Sequence, residues 1–171
     1  MEKTAIFYGS STGTTAAVAE RIAKILDIDN KNVFDVAKAA PSDVADYDVL
    51  IFGTSTWGNG ELQDDWADFI NGLEVLDLSK KTIALFGCGD ETMSDTFCGA
   101  VGELYQRLLP TGAVMIGSYD ADGYHFHETP AKVDGMIRGL LLDEVNHPEL
   151  TDLRLRSWTT LVKDTIANNK L

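Results

Sequence analysis

Short apolar runs alternate with amphipathic stretches along this chain of 171 residues. The first run, AIFY, lies within residues 3–8 and ends at Gly9. A polar turn follows, and apolar residues then recur every three or four positions between Thr14 and Leu26, which is the spacing of one helix face. The pattern therefore predicts a buried strand, a loop and an amphipathic helix, in that order.

The same succession recurs along the rest of the chain. Further strands are predicted at residues 33–36, 49–52, 83–86 and 113–117, and further helices at 41–45, around 66–70, from 97 to 108 and from 151 to 166. Thr151 is the predicted N-cap of the last helix. Residues 118–139, rich in Tyr, His, Asp and Gly, interrupt this rhythm, and the LLL run at 140–142 could resume the fifth strand.

Buried strands joined by helices are typical of a parallel sheet covered on both faces, because each right-handed crossover helix must pack back on the sheet. Five strands fit the doubly wound order 2-1-3-4-5. We therefore expect an α/β fold with a five-stranded parallel sheet, helices on both faces and an insertion in strand five. The length predicts one domain over residues 1–171, since two domains need about 100 residues each.

The charge balance excludes some classes of partner. The formal net charge is −13 with 14 Lys and Arg residues, whereas nucleic acid and anionic lipid are bound through basic surfaces. The first apolar run is far shorter than a signal sequence or membrane span, so we expect a cytoplasmic protein. Cys88 and Cys98 cannot form a disulfide framework, and we expect two reduced thiols.

Acidic residues are concentrated in two stretches of the chain. They are Glu61, Asp64, Asp65, Asp68, Glu74 and Asp77 in the first stretch, and Asp90, Glu91 and Asp95 in the second. Such a concentration indicates either a solvated surface or a docking face for a basic protein, and the sequence leaves both interpretations open.

The loop after the first strand, called here the first loop, can bind an anion through uncharged hydrogen-bond donors. It consists of Ser10, Ser11, Thr12, Gly13, Thr14 and Thr15. Backbone N–H groups at a helix N-terminus favour an anion, and hydroxyl groups add donors. The loop lacks the Lys of a GxxxxGK[ST] motif and the spacing of GxGxxG, so a terminal phosphate monoester fits better than a nucleoside triphosphate or a dinucleotide. An ordinary Ser/Thr-rich N-cap turn is the alternative.

The loop after the third strand contains an aromatic residue beside glycine. Trp57 lies between the end of a strand and a Gly-rich turn, and its indole can stack on a planar heteroaromatic ring, although a single Trp is more often part of the core. Gly58 follows at once and allows positive φ at little cost, which makes a peptide flip easy. A tight loop connection is the alternative explanation of Gly58, but it does not explain the Trp57 beside it.

These loops carry a more specific resemblance. Residues 7–15 (FYGSSTGTT) are similar to the phosphate loop of the flavodoxin family, residues 54–63 (the second loop) to its segment against one flavin face, and residues 87–97 (the third loop) to its second flavin loop. Residues 122–126 and 142–146 resemble the extra loop and the strand end of long-chain members. The resemblance covers essentially the whole chain.

The resemblance implies non-covalent FMN and one-electron transfer. Cofactor contacts are expected from Ser10, Ser11, Thr12, Gly13, Thr14, Thr15, Thr54, Ser55, Thr56, Trp57, Gly58, Asn59, Gly60, Cys88, Gly89, Asp90, Met93, Asp95, Phe97 and Cys98. It also implies that the peptide at Gly58 rotates, so that its carbonyl accepts the N5 proton of the neutral one-electron-reduced flavin. Trp57 and the surrounding carboxylates should oppose a further negative charge, which predicts a low potential.

One departure from the family concerns the third loop. Many long-chain flavodoxins carry a Tyr there that stacks on the other flavin face, whereas this loop is one residue shorter and offers Met93. Met93 either replaces that Tyr or fills the loop and leaves the face partly open. Asp90 either positions a turn or receives the flavin N3 proton. His125 and His127 lack further ligands at metal spacing, so no metal is expected.

The expected function is that of an electron carrier and not of an enzyme, with no catalytic residues. Its partners would be redox proteins with basic surfaces, namely flavodoxin reductase or oxidoreductase donors and acceptor enzymes, and we expect a monomer. An FMN-dependent NAD(P)H:quinone oxidoreductase is the alternative. A phospho-receiver domain is disfavoured, because it needs an Asp where strand three ends in Gly53, Thr54 and Ser55.

Overall fold

The computed structural model describes residues 2–93 and 95–169. The strands are β1 (Thr4–Gly9), β2 (Val33–Asp35), β3 (Val49–Trp57), β4 (Glu61–Leu62), β5 (Thr82–Cys88), β6 (Val114–Ile116), β7 (Lys132–Val133), β8 (Met136–Ile137) and β9 (Leu140–Leu142). The α-helices are α1 (Thr14–Leu26), α2 (Asp64–Glu74), α3 (Gly99–Leu108) and α4 (Pro148–Asn168), and short 3-10 helices span Asn30–Asn32, Pro41–Asp46 and Leu109–Thr111.

The main sheet has the predicted order. Its strands run β2-β1-β3-β5-β6, and all neighbours in this order are parallel. In terms of the five predicted strands this is 2-1-3-4-5, so the doubly wound prediction is confirmed. The short strand β4 pairs antiparallel with the end of β3 and forms a hairpin with it.

The fifth strand is built from two segments, as the sequence predicts. Both β6 and β9 pair in parallel with β5, β6 along residues 82–84 and β9 along residues 86–88. The chain between them, residues 118–139, is called here the insertion, and it contains the antiparallel hairpin β7–β8. Leu140 to Leu142 are fully buried, which explains why an uninterrupted apolar run marks the resumed strand.

Two apolar clusters cover the two faces of the sheet. One contains Phe7 and Phe52 with residues of α2 and α3, and the other contains Ile6 and Ile51 with residues of α1 and α4. Successive residues of β1 and β3 alternate between the clusters, because side chains along a strand point to opposite faces. Both faces are therefore apolar, which accounts for the continuous hydrophobic runs in these strands.

Two of the boundaries that differ from the sequence prediction have a clear physical reason. Helix α4 begins at Pro148 with His147 before it, so the prediction of Thr151 as N-cap is wrong; Thr151 is buried within the first turns of the helix. Proline is well tolerated at the first helical position, where its missing N–H has no acceptor. Strand β3 continues to Trp57 because its last residues pair with β4. No helix in the described part of the chain is long and apolar enough to span a membrane.

Candidate functional site

The three predicted loops start at the same edge of the sheet. The strands that precede them, β1, β3 and β5, are parallel and adjacent, so that Gly9 lies beside Thr54, and Ser55 beside Cys88. This edge is the carboxyl end of the sheet, and β1 is flanked there by β2 on one side and β3 on the other. The strand order reverses at this position, which is where open α/β sheets bind ligands.

The first loop leaves the N-terminus of α1 without an internal cap. Gly13 occupies the N-cap position with φ +92°, it has no side chain to accept from the helix, and the first turn carries no acidic residue. Ser10 Oγ accepts from the Gly13 N–H at 3.1 Å and so shapes the loop. The side chains of Thr12 and Thr14 are exposed. The positive end of the helix dipole is thus surrounded by hydroxyl groups and is not neutralised within the loop.

Gln63 connects the first and second loops. Its side chain is 1% exposed, and its Oε1 caps α2 by accepting from the N–H groups of Asp65 and Trp66 at 3.1 and 3.3 Å. Its Nε2 donates to Ser11 Oγ at 3.2 Å. A β-carbon at Gly9 would lie 2.4 Å from Gln63 Oε1, so only glycine permits this approach. The sequence reasoning included Gln63 in the second loop but gave it no role, although a polar residue directly before a predicted helix was the available signal.

Three buried hydroxyl oxygens at this edge lack a hydrogen-bond partner among the described residues. They belong to Thr15 in the first loop and to Ser55 and Thr56 in the second. Thr15 lies beside the Cys88 thiol, a weak acceptor, without forming a hydrogen bond of normal geometry. A buried polar atom that stays unpaired costs about 1–3 kcal/mol. Their position among the predicted phosphate and flavin contacts fits a polar ligand that would satisfy them.

The hairpin between β3 and β4 presents Trp57 to solvent. Trp57 is 43% exposed, which is unusual for an indole that ends a central strand. The turn closes with a hydrogen bond from the Gly60 N–H to the Trp57 carbonyl at 3.1 Å. Gly58 and Gly60 have φ values of +50° and +95°, whereas Asn59 between them does not have positive φ. Positive φ favours glycine at both positions, and the side chain of Trp57 is available to a planar ring.

The hairpin also contacts the third loop and the start of α3. A β-carbon at Gly60 would lie 3.4 Å from Thr96 Cβ, and one at Gly99 would lie 3.0 Å from Gly60 Cα. The absence of side chains at Gly60 and Gly99 lets the two segments touch. Since Gln63 joins the first loop to the second, the structure brings all three predicted loops together.

Asp90 uses its carboxylate to shape the third loop. Its Oδ1 accepts from the Thr92 N–H at 2.8 Å, the Thr92 hydroxyl at 2.5 Å and Asn146 Nδ2 at 2.7 Å. The hydrogen bond from the Thr92 side chain, followed by that from its backbone and that from Asn146, lowers the pKa of Asp90. Of the two roles predicted for Asp90, these contacts supply the first, the positioning of a turn.

Glu91 is buried although it is ionisable. Its side chain is 2% exposed, and Oε1 lies 3.0 Å from Nη1 of Arg154, whose side chain is 10% exposed. Oε2 accepts from the backbone N–H of His125 at 2.9 Å, and the backbone N–H of Glu91 donates to Asp143 Oδ2 at 2.9 Å. Glu91 thereby joins the third loop to α4, to the insertion and to the segment after β9.

Glu91, Asp143 and His147 each place one potential metal-ligand atom within 4.8 Å of the others. Protein groups already occupy this cluster, although Glu91 Oε1 and Arg154 Nη1 meet as an ion pair and not through a hydrogen bond of good geometry. Arg154 pairs with Glu91, and the two Asp143 oxygens accept four hydrogen bonds, three from backbone N–H groups and one from the Asn146 side chain. A metal ion would have to displace these donors, so the geometry favours a structural tie over a metal centre.

The remaining predicted residues of the third loop differ in exposure. Met93 is 49% exposed, and Asp95 is exposed and lies 3.2 Å from His127 Nδ1 of the insertion. The side chains of Phe97 and Cys98 are buried in the core, so a contact of either side chain with a ligand is not supported by their exposure. Ser94, within the same predicted loop, lies outside the described residues.

Both cysteines are free thiols that lie behind the site. Cys88 is the last residue of β5, and Cys98 precedes α3 with φ +49°. Burial raises the pKa of the Cys88 thiol to about 12, and it raises the pKa of Cys98 well above its usual range.

The predicted acidic surface needs one correction. Glu91 was grouped with Asp90 and Asp95 as a surface acid, but it is buried against Arg154. Glu74 in the first acidic stretch pairs with Arg107. Both partners come from other parts of the chain, which local charge patterning cannot show.

Comparisons with known proteins agree with this geometry. The family model described as Flavodoxin matches residues 6–158. A flavodoxin of Haemophilus influenzae is 41% identical over 161 residues, which cover 93% of this chain and 92% of that protein. Flavodoxin 1 of Escherichia coli strain K12 is 40% identical over 166 residues, which cover 96% of this chain and 94% of that protein.

Solved structures give the same result. A Fusobacterium nucleatum flavodoxin bound to flavin mononucleotide aligns with a TM-score of 0.87 and 31% identity, over 96% of this chain and 99% of its own. Its K13G mutant, also bound to flavin mononucleotide, aligns with a TM-score of 0.88 and 32% identity, over 96% of this chain and 98% of its own. The chain therefore belongs to the flavodoxin family.

Proposed function

We infer that this protein is an electron carrier that binds FMN non-covalently and passes single electrons between redox proteins. The observation that carries this conclusion is the pairing, at one edge of the sheet, of an uncapped helix N-terminus in a hydroxyl-rich loop with the half-exposed indole of Trp57. The first suits a phosphate monoester and the second a planar ring, and FMN contains both. The two structures of the Fusobacterium protein hold flavin mononucleotide.

The contacts on this edge support a division of labour among the loops. Residues 10–15 would hold the phosphate through backbone N–H groups and hydroxyls, and the unpaired hydroxyls of Ser55 and Thr56 would be satisfied by polar groups of the cofactor. The ring would lie along Trp57, with Met93 of the third loop at its other face. FMN supplies the redox chemistry when bound, and the protein orients it and sets the charge around it.

Rotation of the peptide after Gly58 would turn a carbonyl oxygen, a hydrogen-bond acceptor, toward the edge of the flavin ring. Its positive φ and its neighbour Asn59, a residue type that tolerates left-handed backbone, allow the peptide between them to rotate at low cost. The carbonyl of Gly58 would then accept a hydrogen bond from the ring after one-electron reduction.

The acidic surface supports docking of partners with basic surfaces, such as flavodoxin reductase or oxidoreductase donors and acceptor enzymes. Asp64 and Asp68 are exposed on α2, directly after the Trp57 hairpin, and Glu61 is exposed in the hairpin itself. Opposite charges steer association over a distance of about one Debye length. A net charge of −13 also opposes self-association, which supports a monomer.

Cofactor loading tests the function directly. The apoprotein should take up added FMN, and stepwise reduction with dithionite should turn the yellow protein through a form with long-wavelength absorption before it bleaches. Retention of FAD or of no flavin by the native protein, together with failure of the apoprotein to bind FMN, would overturn the function. Steady turnover with NADPH and a quinone would favour a reductase instead.

Partner docking needs a separate experiment. The rate at which a basic flavodoxin reductase reduces the FMN-loaded protein should fall as salt rises, and it should fall at low salt in Asp64→Asn/Asp68→Asn. The matched control is Asp27→Asn/Asp46→Asn, which removes the same charge from the amino end of the sheet, where both residues are exposed. Equal effects of the two double variants would show that only net charge matters, and the docking face would be rejected.

A further inference from the structure

The described residues contain two buried carboxylates: Glu91 belongs to the third loop, and Asp143 accepts a hydrogen bond from the Glu91 backbone N–H. Asp143 is fully satisfied by four hydrogen-bond donors. Glu91 instead faces the guanidinium of Arg154 at 3.0 Å. A charged pair removed from water is screened far less than a surface pair, so each of its two charges acts on its surroundings if the other is removed.

Arg154 is fixed by more than its contact with Glu91. Its guanidinium lies 4.0 Å from the centre of the Tyr124 ring, and Nη2 donates to the Gly123 carbonyl at 3.2 Å. Tyr124 in turn donates to the Leu141 carbonyl of β9 at 2.6 Å. The cation is thus held at one place by the insertion and by the sheet, independently of the third loop.

Glu91 is therefore the residue through which the third loop meets a fixed cation. It follows Asp90 in the sequence, and the proposed function places residues 88–93 against the cofactor. Without the carboxylate of Glu91, Arg154 would leave a buried positive charge next to this segment. A positive charge near a flavin favours the fully reduced form, which is anionic, over the oxidised form.

We propose that Glu91 is a positioning residue for electron transfer: its carboxylate ties the third loop to Arg154 and cancels the guanidinium charge that would otherwise raise the potential of the bound flavin. The inference rests on the proposed FMN site, and it deepens that site by adding a residue that does not touch the cofactor. Its effect comes from a compensated charge pair and differs from that of the exposed acids on α2.

Three variants test the pair by the sign of their effects. Glu91→Gln keeps the shape of the side chain and removes its charge, Arg154→Met removes the cation, and the double variant removes both. Redox titration of the FMN-loaded proteins gives the ratio of the dissociation constants for oxidised and fully reduced FMN. The expected result is a shift of severalfold toward tighter binding of reduced FMN in Glu91→Gln and a shift in the opposite direction in Arg154→Met.

The double variant should return toward the unchanged protein, because the local charge is again balanced. A purely structural role would move both single variants in the same direction and leave the double variant at least as perturbed, and that result would overturn the proposal. Glu149→Gln is the matched control: this carboxylate is 63% exposed near the same helix start, so the loss of its charge should barely shift the ratio.

A second measurement does not depend on FMN. In urea unfolding of the apoprotein, Glu91→Gln and Arg154→Met should each lower the midpoint, and the double variant should lower it by less than the sum. If the losses in the two single variants simply added up in the double variant, the proposed coupling between Glu91 and Arg154 would be rejected. If the unchanged protein failed to bind FMN, the proposed function would fail while this cycle still measured the pair; if it bound FMN and the variants kept its potential, the positioning role alone would fail.

Discussion

The loop that follows β1 leaves a helix N-terminus and a buried hydroxyl group without protein partners, whereas the loop that follows β5 uses two acidic side chains, Asp90 and Glu91, in contacts with the rest of the protein. In the first loop the helix N-terminus is uncapped and Thr15 lacks a hydrogen-bond partner. In the third loop Asp90 accepts three hydrogen bonds and Glu91 is held by Arg154. The first loop is therefore expected to determine affinity for the cofactor, and the third to determine stability and the environment of the ring.

The largest effect should come from breaking the ion pair between Glu91 of the third loop and Arg154. Arg154→Met leaves the Glu91 carboxylate buried without its cation, which should lower the free energy of unfolding of the apoprotein by about 3 kcal/mol. Arg156→Met on the same helix is the control, since Arg156 is 75% exposed and its pairing with Asp152 should contribute less than about 1 kcal/mol. Urea unfolding measures both. Similar losses in the two variants would remove the distinction between a buried tie and a surface pair.

The first loop should show the reverse pattern. Thr14→Asp places a negative charge in the first turn of α1, where it would repel a phosphate but favour the helix dipole. The FMN dissociation constant should rise about 100-fold, while the melting temperature of the apoprotein stays the same or rises slightly. Thr14→Asn is the uncharged control and should change affinity much less. Fluorescence titration measures the affinity for FMN, and thermal unfolding measures the melting temperature. A loss of both affinity and melting temperature would contradict a role of this loop in cofactor binding alone.

The hairpin turn lies between these extremes, because it serves both backbone geometry and the ring. Gly58→Ala places a β-carbon at φ +50° and 3.2 Å from Glu61 Oε2, so the one-electron-reduced form should be stabilised about tenfold less than in the unchanged protein. Gly135→Ala is the control: it also places a β-carbon at positive φ, +79°, but in open space and in the β7–β8 hairpin of the insertion. The maximal long-wavelength absorption during reduction should fall in the first variant alone.

The smallest expected effect is on the stability of the apoprotein at acidic pH. The hydrogen bonds from Thr92 lower the pKa of Asp90 in the folded protein. A lowered folded-state pKa contributes stability that is present above the unfolded value of about 3.9 and is lost as the pH falls through the folded value. Asp90→Asn should therefore flatten the acid limb of the stability profile of the apoprotein. Asp77→Asn, which removes a similar contact with Ser79 far from the site, should flatten the profile without changing FMN affinity.

Hydrophobic patterning was sufficient to predict the main strands and the interrupted fifth strand, and the rule for doubly wound sheets then supplied the strand order. The reason is that β1, β3, β5 and β9 are buried on both faces, so that consecutive residues in each strand are apolar. The first loop was also predictable, because a strand, a hydroxyl-rich turn and a helix follow each other directly. These features depend on neighbours in the sequence.

The parts that the sequence did not reveal depend on distant partners. Glu91 was grouped with surface acids because nothing near it indicates Arg154, which reaches it only after the insertion and α4 have packed. The predicted start of α4 was wrong because it used Thr151 as an N-cap signal and did not consider Pro148, a residue that favours the first turn of a helix. The choice of Met93 as the residue facing the second side of the ring stays a prediction.

The two thiols beside the site have a consequence for the kind of chemistry that the protein can undergo. Nucleophilic attack on peroxides and disulfides needs a thiolate, and burial keeps both cysteines protonated at physiological pH. The carrier should therefore shuttle single electrons under oxidative stress without forming sulfenic acids or mixed disulfides. Exchange of either thiol with glutathione should therefore be slow.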